Sequence, residues 1–471
     1  MNLEPSKGAV GRRCVPQTVD FSQPSSICVE IGLLRMVLHL LTTSRLSTLR
    51  LEPKSSLPPL SRLAFAIVLG LIFLIPTLRA QDAVRPSLAG EAAAEARRQS
   101  IQDIPYNLLA GPIRFRFSIT TGVEYNDNIN LAERNKQEDV IIRPQFNIAA
   151  IWPVTQLNTL RLDLGIGYAF YIDHTNDNTN NILISPGSQI AFDIFVGDFR
   201  INLHDRFSLQ QDPTDEIQLS NVVDYGRFEN TAGVSVLWDL NKAVLTFGYD
   251  HYTYISTTDT FSYLDRNAEI LSFSAYFALT STTGAGIEST AVFNYYNENF
   301  LNDSVTYSVG PFVEVQLTNY LRLRAAVGYQ FIDFDSGSTV DDTNDSSDWY
   351  GNVVLSHRIN SAITQTIAAG HESGLGVDSN FVTLNYVRHT ATWAIINRVL
   401  LATELFYEEG DDSGGLFGEH IERYGGAATV AYQLTPHVTL GLRYQYTQKQ
   451  SDLPLRDYKQ NRVTLDGTYS F

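Results

Sequence analysis

The 471-residue chain has only two methionines and two cysteines. All four lie within the first 36 residues, as Met1, Cys14, Cys28 and Met36. Everything after them must fold without disulfides or thiol chemistry. Basic charge is scarce as well: 34 Lys and Arg against 51 Asp and Glu give a formal charge of −17. A surface of that sign cannot neutralise phosphates, which excludes nucleic acid as a partner. No apolar run of 20 residues occurs outside the N-terminal region, so the pattern of a helical membrane protein is missing. Wholesale disorder is excluded too, since 44% hydrophobic and 11% aromatic content can bury a large apolar surface.

What is present begins with a leader. Residues 63–75 read LAFAIVLGLIFLI, the length of a signal-peptide hydrophobic region and too short for a spanning helix. Arg45, Arg50, Lys54 and Arg62 precede it, Pro76 ends it, and cleavage after Ala80 is expected. The alternative is an anchor that stays attached. The basic region is unusually long, and residues 1–35 read as upstream sequence from a wrongly assigned start. Residues 1–80 carry nine basic and four acidic residues, so the remaining 391 hold 25 basic and 47 acidic ones, net −22. Residues 81–112 form a separate periplasmic segment in this reading. GEAAAEARRQS (residues 90–100) has helix-forming composition.

From residue 113 to 471 the pattern has period two. Ile113, Phe115, Phe117 and Ile119 alternate with Arg114, Arg116, Ser118 and Thr120, and comparable runs occupy 160–170, 321–330 and 438–447. Each is a strand with one apolar face. The runs last about 10–14 residues, whereas soluble strands average about 5–6 and tilted membrane strands need about 9–11. Long polar connections near 126–138, 173–180, 212–225, 255–264, 297–303, 335–348, 374–380, 409–419 and 448–458 alternate with short ones at 153, 197, 240, 281, 317, 359, 396 and 434. Nine long and eight short connections join eighteen strands. The expected fold is all-β: a transmembrane antiparallel up-and-down β-barrel of 16–18 strands, with long loops outside and short turns in the periplasm. Trp152, Trp238, Trp393 and Trp349 fall at predicted strand ends. Tyr125, Tyr249, Tyr252, Tyr295, Tyr329, Tyr407 and Tyr446 cluster near outer ends, as interfacial girdles require. Pro144, Pro186 and Pro311 lie inside strands, where bulges or displaced boundaries are expected.

The chain ends VTLDGTYSF, with Tyr469 and the terminal Phe471 on one face. This resembles the terminal signature of bacterial outer-membrane barrels, read by the barrel-assembly machinery. GVEYNDNIN (residues 122–130) is similar to the opening of a β-barrel porin family often found with exopolysaccharide gene clusters. The resemblance implies an outer-membrane, channel-like barrel over about 113–471, with no catalytic residues and no cofactor.

Parity places Arg114, Arg116, Arg161, Arg200, Arg322 and Arg324 on the lumen side, low in ascending strands, and Arg206, Arg443 and Arg462 higher. Asp163, Glu229, Glu269, Glu314, Glu404 and Asp466 are the acidic lumen candidates. A basic inner mouth would favour anionic solutes or an anionic polysaccharide. Alternatively these arginines pair with neighbouring carboxylates and hold the wall in register. The loops at 212–225, 335–348 and 409–419 are acidic and free of Lys and Arg, suited to solvation or to divalent bridging toward lipopolysaccharide. No H-E-x-x-H or G-x-S-x-G motif occurs. Asp341-Asp342, and Asp411-Asp412 followed by His420, are the nearest approach to a paired-acid site, so an enzyme is disfavoured. The expected function is passive diffusion or export of hydrophilic solutes, linked through the resemblance to exopolysaccharide secretion. The expected partners are outer-membrane lipid, lipopolysaccharide, the assembly machinery and a small solute or polysaccharide. The rivals are an adhesive or structural barrel with partner-binding loops, and a barrel enzyme at the loop face.

Overall fold

A computed structural model describes residues 106–155, 158–175, 181–414 and 418–471. The leader and most of the 81–112 segment lie outside the described residues. Eighteen long strands follow in chain order. They are β1 (Ile113–Asn126), β2 (Asp139–Pro153), β3 (Thr159–Tyr168, continued as Phe170–Tyr171), β4 (Ile182–Ile184 and Gln189–Val196), β5 (Phe199–Gln210) and β6 (Arg227–Asp239). Next come β7 (Ala243–Ser256), β8 (Arg266–Ala278), β9 (Thr283–Tyr296), β10 (Ser304–Thr318), β11 (Leu321–Phe334) and β12 (Ser346–Arg358). The last six are β13 (Ile363–Leu375), β14 (Phe381–Ile396), β15 (Val399–Asp412), β16 (His420–Gln433), β17 (Val438–Ser451) and β18 (Tyr458–Ser470). Each pairs antiparallel with the next, and β18 returns to β1 from Ser118↔Ser470 to Asn126↔Arg462, which closes the barrel.

The closing seam has an extra piece. Leu108–Ala110 forms a short strand that hairpins onto β1, with Leu108 opposite Phe115. Gly111 turns this hairpin at φ 59°, a backbone shape that favours glycine. The strand covers the β1 edge just where β18 runs out at Phe471, whose N–H donates to the Phe117 carbonyl at 3.3 Å. The sequence reading left residues 108–110 outside the barrel, because three residues are too few to show a period.

Alternation sorts the side chains as expected. Ile119, Val123, Phe247, Leu271, Leu442 and Leu465 are exposed on the outer wall, the face that lipid covers. Trp152, Trp349 and Trp393 are exposed at strand ends, and Phe199 stacks on Trp238 at 5.4 Å. Tyr252 is a correction: it points inward, where its ring lies against Arg266 and its hydroxyl donates to Glu229 at 3.2 Å.

The three prolines behave in two ways. Pro186 sits in a break within β4, between Ile184 and Gln189. Pro144 and Pro311 lie inside continuous strands. Opposite each, the ladder skips two residues and resumes in unchanged register, at Ile142↔Phe170 and Gln145↔Gly167 and at Val309↔Tyr329 and Phe312↔Ala326. A missing N–H thus costs a local gap and no bulge. Two loop boundaries also move. β12 starts at Ser346 and β15 runs through Asp412, so Asp348, Glu409 and Asp411 belong to strands.

Candidate functional site

The connection between β5 and β6, residues 211–226, does not stay at the rim. In an eighteen-strand barrel the wall opposite β5 and β6 is β14 and β15, and the loop reaches it. Ile217 is buried against Ala368 of β13, Leu384 and Tyr386 of β14, and Ile421 of β16. Gln218, 2% exposed, is held on four sides. Its side-chain amide donates to Asp412 at 2.6 Å, and its amide oxygen accepts from the Val377 N–H at 3.0 Å. Its backbone carbonyl accepts from Lys449 Nζ at 3.0 Å and from Arg456 at 2.8 Å. The loop therefore crosses the lumen and is fastened at its far end.

Its near shoulder is pinned by charge. Arg462 of β18 donates to Asp212 at 2.7 Å and to Glu124 of β1 at 3.0 Å, and Arg143 of β2 completes the group by donating to Glu124 at 2.7 Å. Arg423 donates to the Thr214 carbonyl at 2.8 Å, and Arg227 pairs with Asp215 at 2.7 Å. Burial opposes ionisation of Asp212, but the Arg462 guanidinium and the Thr214 hydroxyl outweigh it and hold the carboxyl low. Asp215 goes the other way, raised by burial and then by the neighbouring Asp212 charge. Burial also raises Glu216.

Above the crossing, the other loops pack on one another. Leu219 and Tyr225 share an apolar cluster with Phe261, Leu264, Leu301, Val340 and Val377, drawn from five connections. Polar contacts lock the same loops. Asn302 donates to the Asp342 carbonyl at 2.9 Å and Asn380 N–H to the Asp342 carboxylate at 3.0 Å, while the Ser413 hydroxyl donates to that carboxylate at 2.6 Å. Asp342, placed by its sequence in a paired-acid motif, is consumed as a loop fastener.

The nine arginines singled out from the sequence all face inward, and they divide into two sets. Arg161 and Arg200 share Asp193, at 3.2 and 2.9 Å. Arg324 pairs with Glu288 at 2.7 Å and Glu314 at 3.4 Å, and Arg443 lies 3.6 Å from Glu404. With Arg462, these hold the wall or the loop. Arg114, Arg116 and Arg322 are exposed at the periplasmic end and make no ion pair among the described residues; Arg114 lies 5.5 Å from the Tyr106 ring centroid. Arg206, higher on β5, also makes none.

Sequence reasoning missed Arg358, the last residue of β12, which alternation turns inward at the same mouth. It also missed Arg143, Arg227, Arg388 and Arg423, because attention fell on the starts of ascending strands. Glu269 is a correction: it points outward with Leu271, accepting from Tyr249 at 2.7 Å and lying 2.9 Å from His251 Nδ1.

Paired arginines belong to a repeated wall unit. Gly286 faces Phe312, Gly370 faces Tyr386 and Gly425 faces Phe406 across their ladders. In each case the ring occupies the space that a Cβ on the glycine would fill. A guanidinium lies over each ring: Arg324 at 4.9 Å, Arg388 at 5.2 Å and Arg423 at 5.8 Å. Glu408 then receives both Arg388 and Arg423, at 2.8 and 2.6 Å. Tyr469 and Phe471 face outward at the periplasmic end, their rings edge-on at 5.2 Å.

The chain matches the family described as "Putative beta-barrel porin 2" over residues 109–471. Solved structures similar to it include OpdK of Pseudomonas aeruginosa with vanillate, at 10% identity and TM-score 0.43, covering 76% of this chain and 99% of that one. A BenF-like porin from Pseudomonas fluorescens Pf-5 is similar at 11% identity and TM-score 0.46, with 77% and 99% covered. OccK2 (OpdF) of Pseudomonas aeruginosa in complex with glucuronate is similar at 9% identity and TM-score 0.44, with 76% and 98% covered. No curated protein matches in sequence.

Proposed function

Because the chain belongs to the beta-barrel porin 2 family and is a porin-like barrel of the bacterial outer membrane, we propose that it is a passive channel for small hydrophilic solutes, with its constriction set by the 211–226 loop. The observation that carries this reading is the Gln218 anchorage. A loop fastened across the lumen by Asp412 and Lys449 narrows the interior and sets charged side chains beside the crossing. This favours small solutes over a polymer, so the link to exopolysaccharide secretion rests on the resemblance of residues 122–130 alone.

The periplasmic mouth supplies a preference of sign. Arg114 and Arg116 on β1 stand across the barrel from Arg322 and Arg358 on β11 and β12, and all four are exposed without ion pairs among the described residues. Free cationic groups around a mouth raise the local concentration of anions. We read the solute class as small anions. Tyr469 and Phe471 serve as the assembly signal in the same reading, and residues 1–80 as the exported leader.

Reconstitution in a planar bilayer tests the channel directly. Ohmic conductance steps with anion preference are expected. A correctly folded barrel that stays electrically silent would overturn the channel in favour of the structural or adhesive alternative.

A further inference from the structure

On the outer wall, β15 and β16 carry three successive outward pairs near the extracellular end. Tyr407 faces Tyr424, Glu409 faces Glu422, and Asp411 faces His420. The upper four side chains make a two-by-two patch on fully paired backbone, just beyond a tyrosine pair of the kind that marks the membrane interface.

Glu409, His420 and Glu422 each bring a ligand atom to within 4.8 Å of the other two. Asp411 Oδ1 lies 2.6 Å from His420 Nδ1. That contact fixes the ring with its proton on Nδ1 and leaves Nε2 as the available ligand nitrogen. Like charges directly opposed across an antiparallel pair repel. Glu409 and Glu422 are so opposed, and neither pairs with Lys or Arg among the described residues. An imidazole and two uncompensated carboxylates on a rigid sheet are a chelating set.

We propose that this patch binds a divalent metal ion of the Zn²⁺ class, with His420, Glu409 and Glu422 as ligands and Asp411 as the group that orients the imidazole. The nitrogen donor argues for this class over Ca²⁺, which takes six to eight oxygens. Three protein ligands leave coordination open on the outward side. The site lies on the opposite face of the wall from the lumen, so it stands apart from the channel reading.

The test is equilibrium dialysis of tag-free barrel, purified from outer membrane, against Zn²⁺, with excess Ca²⁺ in a parallel arm. The expected result is one Zn²⁺ per chain that Ca²⁺ does not displace. His420→Gln and a Glu409→Gln/Glu422→Gln double variant should abolish it, and Asp411→Asn should weaken it by about 10–100-fold. Unchanged heat-modifiable gel mobility shows that each variant is folded. Absence of Zn²⁺ binding by the folded parent would overturn the proposal. So would displacement by Ca²⁺, or equal binding by the double variant.

Discussion

Gly370 of β13 stands directly across the ladder from Tyr386 of β14, and a Cβ on Gly370 would lie 2.6 Å from the tyrosine ring. The ring is buried, Asn352 donates to its hydroxyl at 2.8 Å, and Arg388 lies over it. It cannot withdraw without breaking those contacts. Gly370→Ala should therefore destabilise the barrel by about 1–3 kcal/mol, the usual cost of overpacking. Urea titration read by gel mobility measures it. Because the two residues touch, Gly370→Ala combined with Tyr386→Leu should cost less than the two changes summed. Strict additivity would remove the packing explanation.

The two arginine sets should separate in experiment. Replacing Arg114, Arg116, Arg322 and Arg358 by Gln should move the reversal potential toward zero in a salt gradient while leaving stability nearly unchanged. Exposed charges without partners contribute little to folding. Arg324→Gln should do the reverse, because it strands Glu288 beside a lost guanidinium. It should lower the urea midpoint and shift selectivity less than the fourfold variant. A fourfold variant with unchanged reversal potential would end the anion-mouth assignment.

Most of the barrel was legible in the sequence because its two determinants are local. Side-chain alternation gives each strand a face, although Tyr252 and Glu269 lie on the opposite face from the one read for them, and the long/short rhythm of connections gives the count of eighteen. The site was only half legible. Parity points all nine arginines the same way, but parity says nothing about partners. Arg161 and Arg322 look equivalent in sequence, and only the position of Asp193 on the neighbouring β4 distinguishes them. The path of residues 211–226 left even less trace. Its acids read as a solvated loop, whereas Asp212 is bound by Arg462, 250 residues later in the chain. Ile217, Leu219, Val222, Val223 and Tyr225 were the available signal, apolar residues in a connection that a solvated loop does not ask for.

Arg462 is the residue on which the near shoulder of that loop depends. It bridges Glu124, which is 4% exposed, and Asp212. Arg462→Gln takes the cation from Asp212, while Glu124 keeps Arg143 at 2.7 Å; stranding a fully buried charge costs about 3–5 kcal/mol, and the remaining partner of Glu124 and the partial exposure of Asp212 place the cost below that range. The chain can relieve the strain by releasing the loop shoulder while Gln218 stays fastened. Single-channel recordings should then show larger conductance with added open-channel noise. A quiet variant of parental conductance would mean that Asp212 does not position the constriction.

The crossing loop should also make the channel respond to mild acid. Glu216 and Asp215 have raised pKa values, so they take up protons while ordinary carboxylates remain charged. Asp212 is held low and stays ionised beside Arg462. Lowering the pH toward the normal carboxylate range therefore removes negative charge from the constriction before ordinary carboxylates protonate, while the Asp212–Arg462 pin stays ionised. The linkage has the matching sign. Groups with raised pKa add stability as pH falls through their folded values. The Asp212 contribution is complete above its unfolded value of 3.8 and is lost only as pH falls through the lower folded one. Anion preference should rise over this interval with no added noise from the loop, and Glu216→Gln/Asp215→Asn should flatten the response. An identical titration in that variant would assign the effect to other carboxylates of the lumen.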